Sequence, residues 1–313
     1  MAFPRIHGSN QKGWGHFCFE EKHIMSTTNS GLDQAFKPES YGKLVDTVIE
    51  SNSIAFNPAV ASTLNISTES IRIPLLTADV AVDWYGELDT IDAEDPTTDE
   101  LVVTPKGVKA YSLLSNESVA DTQPAIANLI GNSIGRSIAK KVDAAFFSLS
   151  AVTKGPQLPL GVVAYSYVDV AVASATFDHV LQGIKLSKDH GADPTAVVIN
   201  PSVELAWRQI KTQTGANSYL VQDQLLADEQ RRAGYAGFTI GGVPVYVSRA
   251  VDALTAAWIV DAAQVFTVRR QGTTIETDKS AAFQQDGTAV RGVARVDFGV
   301  TNPAGVVRLF DHA

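Results

Sequence analysis

Cysteine is almost missing from this chain, which has Cys18 as its only one among 313 residues. A single cysteine cannot form an intrachain disulfide or a zinc site built from several cysteines. Long apolar runs are missing too, since no stretch approaches the roughly 20 residues that span a bilayer. The amino terminus does not combine a basic start with an apolar stretch, as a secretory signal would. The sequence therefore predicts synthesis in the cytoplasm and no membrane partner.

Positive charge is also scarce. The 34 acids outnumber the 25 lysines and arginines, which gives a net charge of −9 and a pI near 5.1. A surface of this sign repels phosphate backbones and argues against tight, sequence-specific binding of nucleic acid. Hydrophobic residues make up 45% of the chain, enough for a sizeable core in one or two domains.

Motifs for catalysis and cofactor binding are largely missing. The sequence has neither a dinucleotide-binding glycine fingerprint nor a P-loop, and His179, His190 and His312 lack the spacing of metal ligands. Gly131-Asn132-Ser133-Ile134-Gly135 matches the GxSxG pattern of serine hydrolases, but that motif needs a strand before a sharp turn at the serine. Here the pentapeptide falls inside a predicted helix. We therefore expect no cofactor, no metal and no enzymatic activity, and a hydrolase using Ser133 is a distant alternative.

Residues 1–24 differ from the rest of the chain. They contain three of the six histidines and the only cysteine, without useful periodicity. The following Met25-Ser26-Thr27-Thr28 resembles a translation start, so we expect residues 1–24 to be a translated leader. A metal site formed by His16, Cys18 and His23 is the alternative interpretation of this segment.

Two extended runs flank a strongly acidic segment. Residues 70–84 and 101–115 alternate in polarity and are prone to form strands, which predicts a long antiparallel hairpin. A hairpin is marginally stable alone in water, so this one is expected to lie on another surface. Its tip, residues 85–100, contains seven acids and no base: Glu87, Asp89, Asp92, Glu94, Asp95, Asp99 and Glu100.

The acidic tip has three interpretations. It could be a calcium loop, a solvated loop kept polar against aggregation, or a contact with a basic surface of a second copy. The order of acids around Asp92 and Glu94 lacks the alternation and the glycine of a calcium loop. The candidate basic residues of an intersubunit contact lie on a predicted helix or on a late strand: Arg136, Lys140, Lys141, Arg291 and Arg295.

Downstream, the pattern predicts a long amphipathic helix and then alternating helices and strands. Apolar residues recur at three- and four-residue steps over 126–146, after a cap at Asp121 or Thr122, with Asp143 on the polar face. The fold class is α+β. Further helices are predicted at 41–55, 176–191 and 202–212, the last of them capped by Ser202. Further strands are predicted at 195–201, 257–277, 290–300 and 305–310. A hairpin is predicted at 238–248, around Gly241-Gly242.

Six stretches follow one another in this order of elements: IRIPLLTADVAVDWYGELDTID, VTPKGVKAYSLLSNESVADT, AIANLIGNSIGRSIAKKVDAAFF, VVINPSVELAWRQIK, GFTIGGVPVYVS and VRGVARVDFGVTNPAGVVRL. The ordered set resembles the major capsid proteins of tailed bacteriophages of the Hong Kong type. The resemblance covers about residues 35–310 and implies an N-terminal arm (25–70), an E-loop hairpin (71–114), a P-domain with a long spine helix (115–155 and 276–300) and an A-domain (156–275 and 301–313).

The resemblance also implies a function. The chain would assemble as pentamers and hexamers into an icosahedral shell that encloses double-stranded DNA without reading its sequence. Assembly would take place in the host cytoplasm, and the finished shell would be the capsid of the virion. A portal, and where used a separate scaffolding or decoration protein, would be its partners. An encapsulin-like nanocompartment shell is the alternative, and the polar arm at 26–40 argues against it.

Some members of this family crosslink covalently through a lysine near the tip of the E-loop. The tip at 85–100 has no lysine, and Lys106 and Lys109 lie lower on the second strand. We therefore expect no autocatalytic crosslinking.

Overall fold

Three β-sheets, of five, six and two strands, organise the described residues of the computed structural model. These residues are 46–78, 80, 82–87, 95–116, 125–147, 161–162, 165, 167–172, 176–211, 213, 220–221, 234–282, 284 and 286–311. The predicted leader, residues 26–40 of the predicted arm, the predicted caps Asp121 and Thr122, and His312 lie outside them. The strands in chain order are β1 (Ser62–Ile66), β2 (Ile71–Ala78), β3 (Thr97–Val103), β4 (Lys106–Ser115), β5 (Val168–Val172), β6 (Ala196–Ile199), β7 (Tyr235–Ile240), β8 (Val243–Val247), β9 (Thr255–Val260), β10 (Val265–Arg270), β11 (Thr274–Ala282), β12 (Gly287–Val300) and β13 (Val307–Asp311). The helices are α1 (Ala125–Phe146), α2 (Phe177–Asp189) and α3 (Pro201–Arg208), and residues 46–52 are also helical.

The five-stranded sheet is built around β12, the longest strand of the described chain. β12 pairs antiparallel with β4 on one side and with β11 and β10 on the other, and β1 adds parallel to β10. One face of this sheet packs against α1, whose Ile134, Ile138, Val142 and Phe146 are buried. Gly292 permits the close approach, because a Cβ there would lie 2.7 Å from Cγ2 of Ile134. The predicted long amphipathic helix is confirmed.

The six-stranded sheet has the order β5-β13-β9-β6-β8-β7 and its own apolar core. The predicted buried strand at 195–201 is confirmed as β6, whose residues are all buried. The predicted hairpin at 238–248 is confirmed as β7 and β8, joined by Gly241 and Gly242 with φ of 59° and 86°. Two consecutive residues with positive φ form the tight turn that suits the twist of paired strands.

Helix α2 confirms the helix predicted at 176–191, whereas the helix predicted at 202–212 is shorter than expected. It ends at Arg208, and its cap is Asn200 rather than Ser202. Asn200 Oδ1 accepts a hydrogen bond of 3.0 Å from the backbone N–H of Ser202. Because Pro201 has no N–H and fits the first helical position, the residue before it becomes the cap.

The predicted strand at 257–277 is wrong as a single element. It consists of most of β9, all of β10 and the start of β11, separated by turns at 261–264 and 271–273. In the first turn, Asp261 accepts from the backbone N–H of Ala263 at 2.9 Å. In the second, Gln271 has a φ of 56°, outside the range of a strand. The predicted domain boundaries stay predictions. They assign β4, β10 and β12 to three different domains, whereas the three strands share one sheet.

Candidate functional surface

The predicted hairpin is confirmed, but its second strand is shorter than predicted. β2 and β3 pair antiparallel from Ile71 opposite Val103 to Ala78 opposite Thr97. At Thr104-Pro105 the chain leaves the hairpin, and the rest of the predicted second strand becomes β4 of the five-stranded sheet. Proline cannot donate a ladder hydrogen bond, so it marks the point where pairing to β2 ends.

The base of the hairpin is fixed to the end of β12. Val103 is 1% exposed, and it packs with Leu101 over Gly299, where a Cβ would lie 2.9 Å from Cγ2 of Val103. The backbone N–H of Thr104 donates to Oδ2 of Asp297 at 3.0 Å. The hairpin is therefore held at its base by one apolar and one polar contact.

Beyond its base, the hairpin carries large apolar side chains that its own chain does not cover. Trp84 is 100% exposed and Val82 is 95% exposed. Leu76, Val80, Tyr85 and Val102 are exposed as well. Exposed apolar patches of this kind mark interaction sites. The prediction of an acidic contact did not include these apolar residues, although the alternation of apolar residues in 79–85 is a signal for them.

The predicted acidic site is only partly within the described chain. Glu87, Asp95, Asp99 and Glu100 are exposed, whereas Asp89, Asp92 and Glu94 lie outside the described residues. Glu100 forms a cross-strand ion pair of 2.6 Å with Arg72. Part of the acidic charge is therefore already neutralised within the hairpin.

The five predicted basic residues lie on two sides of one layer. Arg136, Lys140 and Lys141 are exposed on α1, and Arg291 and Arg295 are exposed on β12. Gly292 and Ala294 of β12 face the α1 side, and successive strand residues point to opposite faces. The two arginines therefore lie on the sheet face away from α1. Arg291 forms an ion pair with Glu276 of β11.

Asp143 was predicted to lie on the polar face of the long helix, and this prediction is wrong. Asp143 is 8% exposed. Its Oδ1 accepts from Ser53 Oγ at 2.5 Å and from the Ala55 N–H at 3.2 Å, and its Oδ2 accepts from the Ile54 N–H at 3.3 Å. Burial raises the pKa of this carboxyl, and the three hydrogen bonds oppose that shift. Asp143 therefore fastens residues 53–55 to the helix.

A second polar cluster fixes the helical residues 46–52. NH1 of Arg269 lies 2.9 Å from Oε1 of Glu50 and 3.5 Å from Oδ1 of Asp46. Asp46 Oδ1 also accepts from the Thr273 N–H at 2.9 Å, and Arg269 Nε donates to Asn65 Oδ1 at 3.0 Å. These contacts join the start of the described chain to β10 and to the turn that follows it.

The described residues offer no arrangement typical of an enzyme site at Ser133 or of a metal centre. Ser133 is exposed in the middle of α1, so no strand precedes it and the elbow geometry of a serine hydrolase is not formed. Across these same residues, no three histidine, cysteine or acidic side chains are grouped so that they could hold a metal ion. No described helix has the length and apolar character needed to cross a membrane.

Comparisons with known proteins agree with this geometry. A sequence model of the phage capsid family matches residues 43–310. Among solved structures, the capsid of a native GTA particle computed with C5 symmetry has a TM-score of 0.65 at 20% identity, over 83% of this chain and 91% of that chain. A structure from Mycobacterium phage Adephagia has a TM-score of 0.68 at 15% identity, over 84% and 91%. A structure from Mycobacterium phage Cain has a TM-score of 0.67 at 17% identity, over 84% of this chain and 91% of that chain. No curated protein matches the chain.

Proposed function

This chain belongs to the phage capsid family, and we propose that it is the major capsid protein of a tailed bacteriophage that assembles as pentamers and hexamers into an icosahedral shell around double-stranded DNA. The coarser conclusion, a capsid shell protein with the Hong Kong-type fold, follows from the family and from the shared fold. What we propose beyond it is the assembly into pentamers and hexamers, the enclosed double-stranded DNA, and the location in the virion of a tailed phage.

The observation that carries the proposal is the hairpin. It exposes Val82 and Trp84 almost completely, and within the described part of the chain its two strands pair only with each other. A soluble monomer gains nothing from such an element, because water contact with apolar surface is unfavourable. Burial against a second copy would remove that cost, and in a shell every copy can both offer and receive a hairpin.

The acidity of the chain supports the proposed content of the shell. A net charge of −9 makes the wall repel DNA phosphates on average. A packaged genome would then be enclosed without being held at particular bases. A portal, and where used a scaffolding or decoration protein, completes the proposed set of partners, and assembly takes place in the host cytoplasm.

The predicted divisions of the chain form part of this proposal. Residues 71–114 would be the E-loop, 115–155 and 276–300 the P-domain, and 156–275 with 301–313 the A-domain. The six-stranded sheet supports the A-domain assignment, since β5 to β9 and β13 fall within its ranges. The acids of the tip and the cations of α1 and β12 are proposed intersubunit contacts.

Electron microscopy of the purified protein under assembly conditions tests the proposal. We expect closed shells with five-fold vertices, and DNA inside those taken from an infected host. A protein cargo in place of DNA would support the encapsulin-like alternative. A protein that stays monomeric at all concentrations, with and without the other structural proteins of the phage, would contradict the proposal.

Denaturing electrophoresis of mature shells tests the expected lack of covalent crosslinking. Because the tip has no lysine, the chain should migrate as a monomer. A ladder of multimers would show that Lys106, Lys109 or another lysine reacts.

A further inference from the structure

The exposed face of α1 carries positive charge that nothing in the described chain neutralises. Among the residues of α1 whose side chains are described, the exposed ones form one row along the helix: Ser133, Arg136, Ser137, Lys140, Lys141 and Ala144. Spacings of three and four residues keep them on one side, over about 16 Å of helix. These six residues are together called the α1 row. Three of them are cations and none is an acid.

The only acid in the sequence of α1, Asp143, is turned away from this row. It is 8% exposed, and its carboxylate already accepts three hydrogen bonds from residues 53–55. Elsewhere exposed arginines are paired, as in the ion pairs of Arg72 and Arg291. No ion pair within the described residues involves the three cations of the row. In a chain with a net charge of −9, the row is therefore a local excess of positive charge.

The residue types of the α1 row suit phosphate groups better than a protein surface. Lysine, serine and alanine are depleted in protein–protein interfaces, whereas arginine, lysine and serine supply contacts to DNA phosphates. None of the large exposed apolar side chains of the described chain lies on α1. A duplex presents about one negative charge per 1.7 Å of its axis, so a duplex lying along the row would offer it about ten.

The opposite surface of the same layer has a different character. Tyr111 and Leu113 of β4 are exposed, and they point away from α1 because Ala110 and Leu114 pack on the core beside that helix. Tyrosine is enriched in protein–protein interfaces. The layer of α1 and the five-stranded sheet therefore has one surface suited to protein and one suited to phosphate. A closed shell can turn only one of the two towards its interior.

We propose that α1 faces the interior of the shell and that the α1 row binds the phosphate backbone of the enclosed double-stranded DNA. Arg136, Lys140 and Lys141 contact phosphates, and the two serine hydroxyls add hydrogen bonds. The inference rests on the proposed function, because it needs DNA inside the shell. It assigns the cations of α1 to DNA in place of the acidic tip of a second copy, and it leaves those of β12 as candidates for that tip. Phosphate contacts carry no sequence information, so the wall touches the genome without reading it.

Photocrosslinking in DNA-filled shells of the full chain tests the proposal. A benzophenone amino acid replaces Ser137, which lies between the cations. A matched variant carries it in place of Lys109, which is exposed on the side of β4 that points away from α1. The shells come from an infected host grown with tritiated thymidine, and they are irradiated, denatured and digested with nuclease. The tritium that stays on the protein band measures crosslinking to DNA.

The proposal predicts tritium on the Ser137 variant and only background on the Lys109 variant. If the shells contain DNA and residue 137 retains no more label than residue 109, the α1 row does not contact DNA. A crosslink from residue 137 to a peptide of a second copy, without label, would assign the row to a contact between subunits. Shells of the wild-type chain without any DNA would instead contradict the proposed function. Ala144, at the end of the same row, is a second position for the probe and removes no polar group.

Removal of the same charge elsewhere separates the α1 row from the effect of net charge. Two triple variants have three cations replaced by glutamine, and in each set the cations are exposed and form no ion pair within the described residues: Arg136→Gln, Lys140→Gln and Lys141→Gln in the first, Lys109→Gln, Lys211→Gln and Arg249→Gln in the second. Subunits dissociated from shells are titrated with a fluorescent duplex of random sequence in a salt series.

Each phosphate contact adds about 0.9 to the slope of log affinity against log salt concentration. The first variant should therefore lower that slope by about 2–3 and weaken binding about tenfold or more at low salt. The second variant should change the slope by less than about 1. Equal losses in the two variants would show that DNA responds to net charge alone, and they would contradict the proposal. A wild-type subunit that does not bind the duplex at low salt would contradict it as well.

Discussion

Two neighbouring segments of the chain, residues 46–62 and the hairpin at 71–103, have opposite environments. In the first segment Ile49, Ile54, Ala55, Phe56 and Val60 are all buried. Its polar groups bind partners far along the chain: besides the contacts of Asp143 and Arg269, the Thr267 hydroxyl donates to the Ala55 carbonyl oxygen at 2.6 Å. The first segment therefore completes its contacts inside one subunit.

The hairpin makes its contacts mainly with itself. Arg72 pairs with Glu100, and the Thr77 hydroxyl donates to the Thr97 carbonyl oxygen at 2.9 Å. Apart from the base at Leu101 and Val103, its described large apolar side chains are either half-buried, as in Ile71, Ile73 and Leu75, or exposed. The comparison separates residues that stabilise the subunit from residues that are free to join subunits. Substitutions in the first segment should lower the stability of the subunit, and substitutions in the hairpin should lower only assembly.

The largest effect is expected for Asp143→Ala. The change leaves the Ser53 hydroxyl and the N–H groups of Ile54 and Ala55 buried without their acceptor. We expect the free energy of unfolding of the dissociated subunit to fall by about 3 kcal/mol, measured by urea denaturation. Asp143→Asn keeps one oxygen acceptor and should cost less. A loss below about 0.5 kcal/mol for the alanine variant would show that the contact is not structural.

The dependence of stability on pH tests the raised pKa of the same carboxyl. Burial raises the pKa of Asp143 in the folded chain above its value in the unfolded chain, so in the pH window between the two values the folded state binds more protons. Stability of the wild type should therefore rise, relative to Asp143→Asn, as the pH falls from 7 through that window. Urea midpoints of both proteins measure this difference. A constant difference between them would contradict the raised pKa.

The next effect is expected for Arg269→Met, with Arg291→Met as its matched control. Arg269 is largely buried and contacts Asp46 and Glu50, whereas Arg291 forms an exposed pair with Glu276. Loss of these ion pairs, and of the hydrogen bond that the charged guanidinium donates to Asn65 Oδ1, should cost the subunit about 2 kcal/mol at Arg269. An exposed pair contributes about 0–1 kcal/mol. Equal losses in urea denaturation would mean that burial does not distinguish the two arginines.

Trp84→Ser should separate stability from assembly. Because Trp84 is fully exposed, the free energy of unfolding of the subunit should change by less than about 0.5 kcal/mol. The yield of shells, measured by sedimentation, should fall strongly, while the control Leu254→Ser at another exposed apolar position should assemble normally. Normal assembly of the Trp84 variant would place the hairpin outside the subunit contacts.

The smallest effect per site is expected at the acidic tip. The combined change Asp92→Asn, Glu94→Gln and Asp95→Asn should weaken contacts between subunits, since each exposed ion pair is worth about 0–1 kcal/mol and a shell repeats it many times. Salt should reduce the difference from wild type. If assembly yield and shell melting temperature are the same for both proteins across a salt series, the tip does not take part in the contact.

Local patterns were sufficient to predict several elements. The apolar stripe of α1, the positive-φ turn at Gly241-Gly242 and the continuous apolar run of β6 depend on neighbours within a few residues, and each is confirmed. The cap of α3 is also set locally, because Pro201 fits the first helical position and makes Asn200, rather than the predicted Ser202, the cap. The basic and acidic contact residues remain predictions, because one chain cannot show what a second copy covers.

The sequence by itself determined the α+β class, the hairpin, the long helix and the resemblance to phage capsid proteins, since these follow from periodicity and from the order of elements. Only the tertiary structure decided that the run after Thr104 joins β12 rather than continuing the hairpin, because a strand can pair with any edge that reaches it. Only the structure decided that Asp143 is buried, since three donors from residues 53–55 compensate for the lost water. It likewise decided that Trp84 is exposed, because an aromatic side chain is buried only where a partner surface is present.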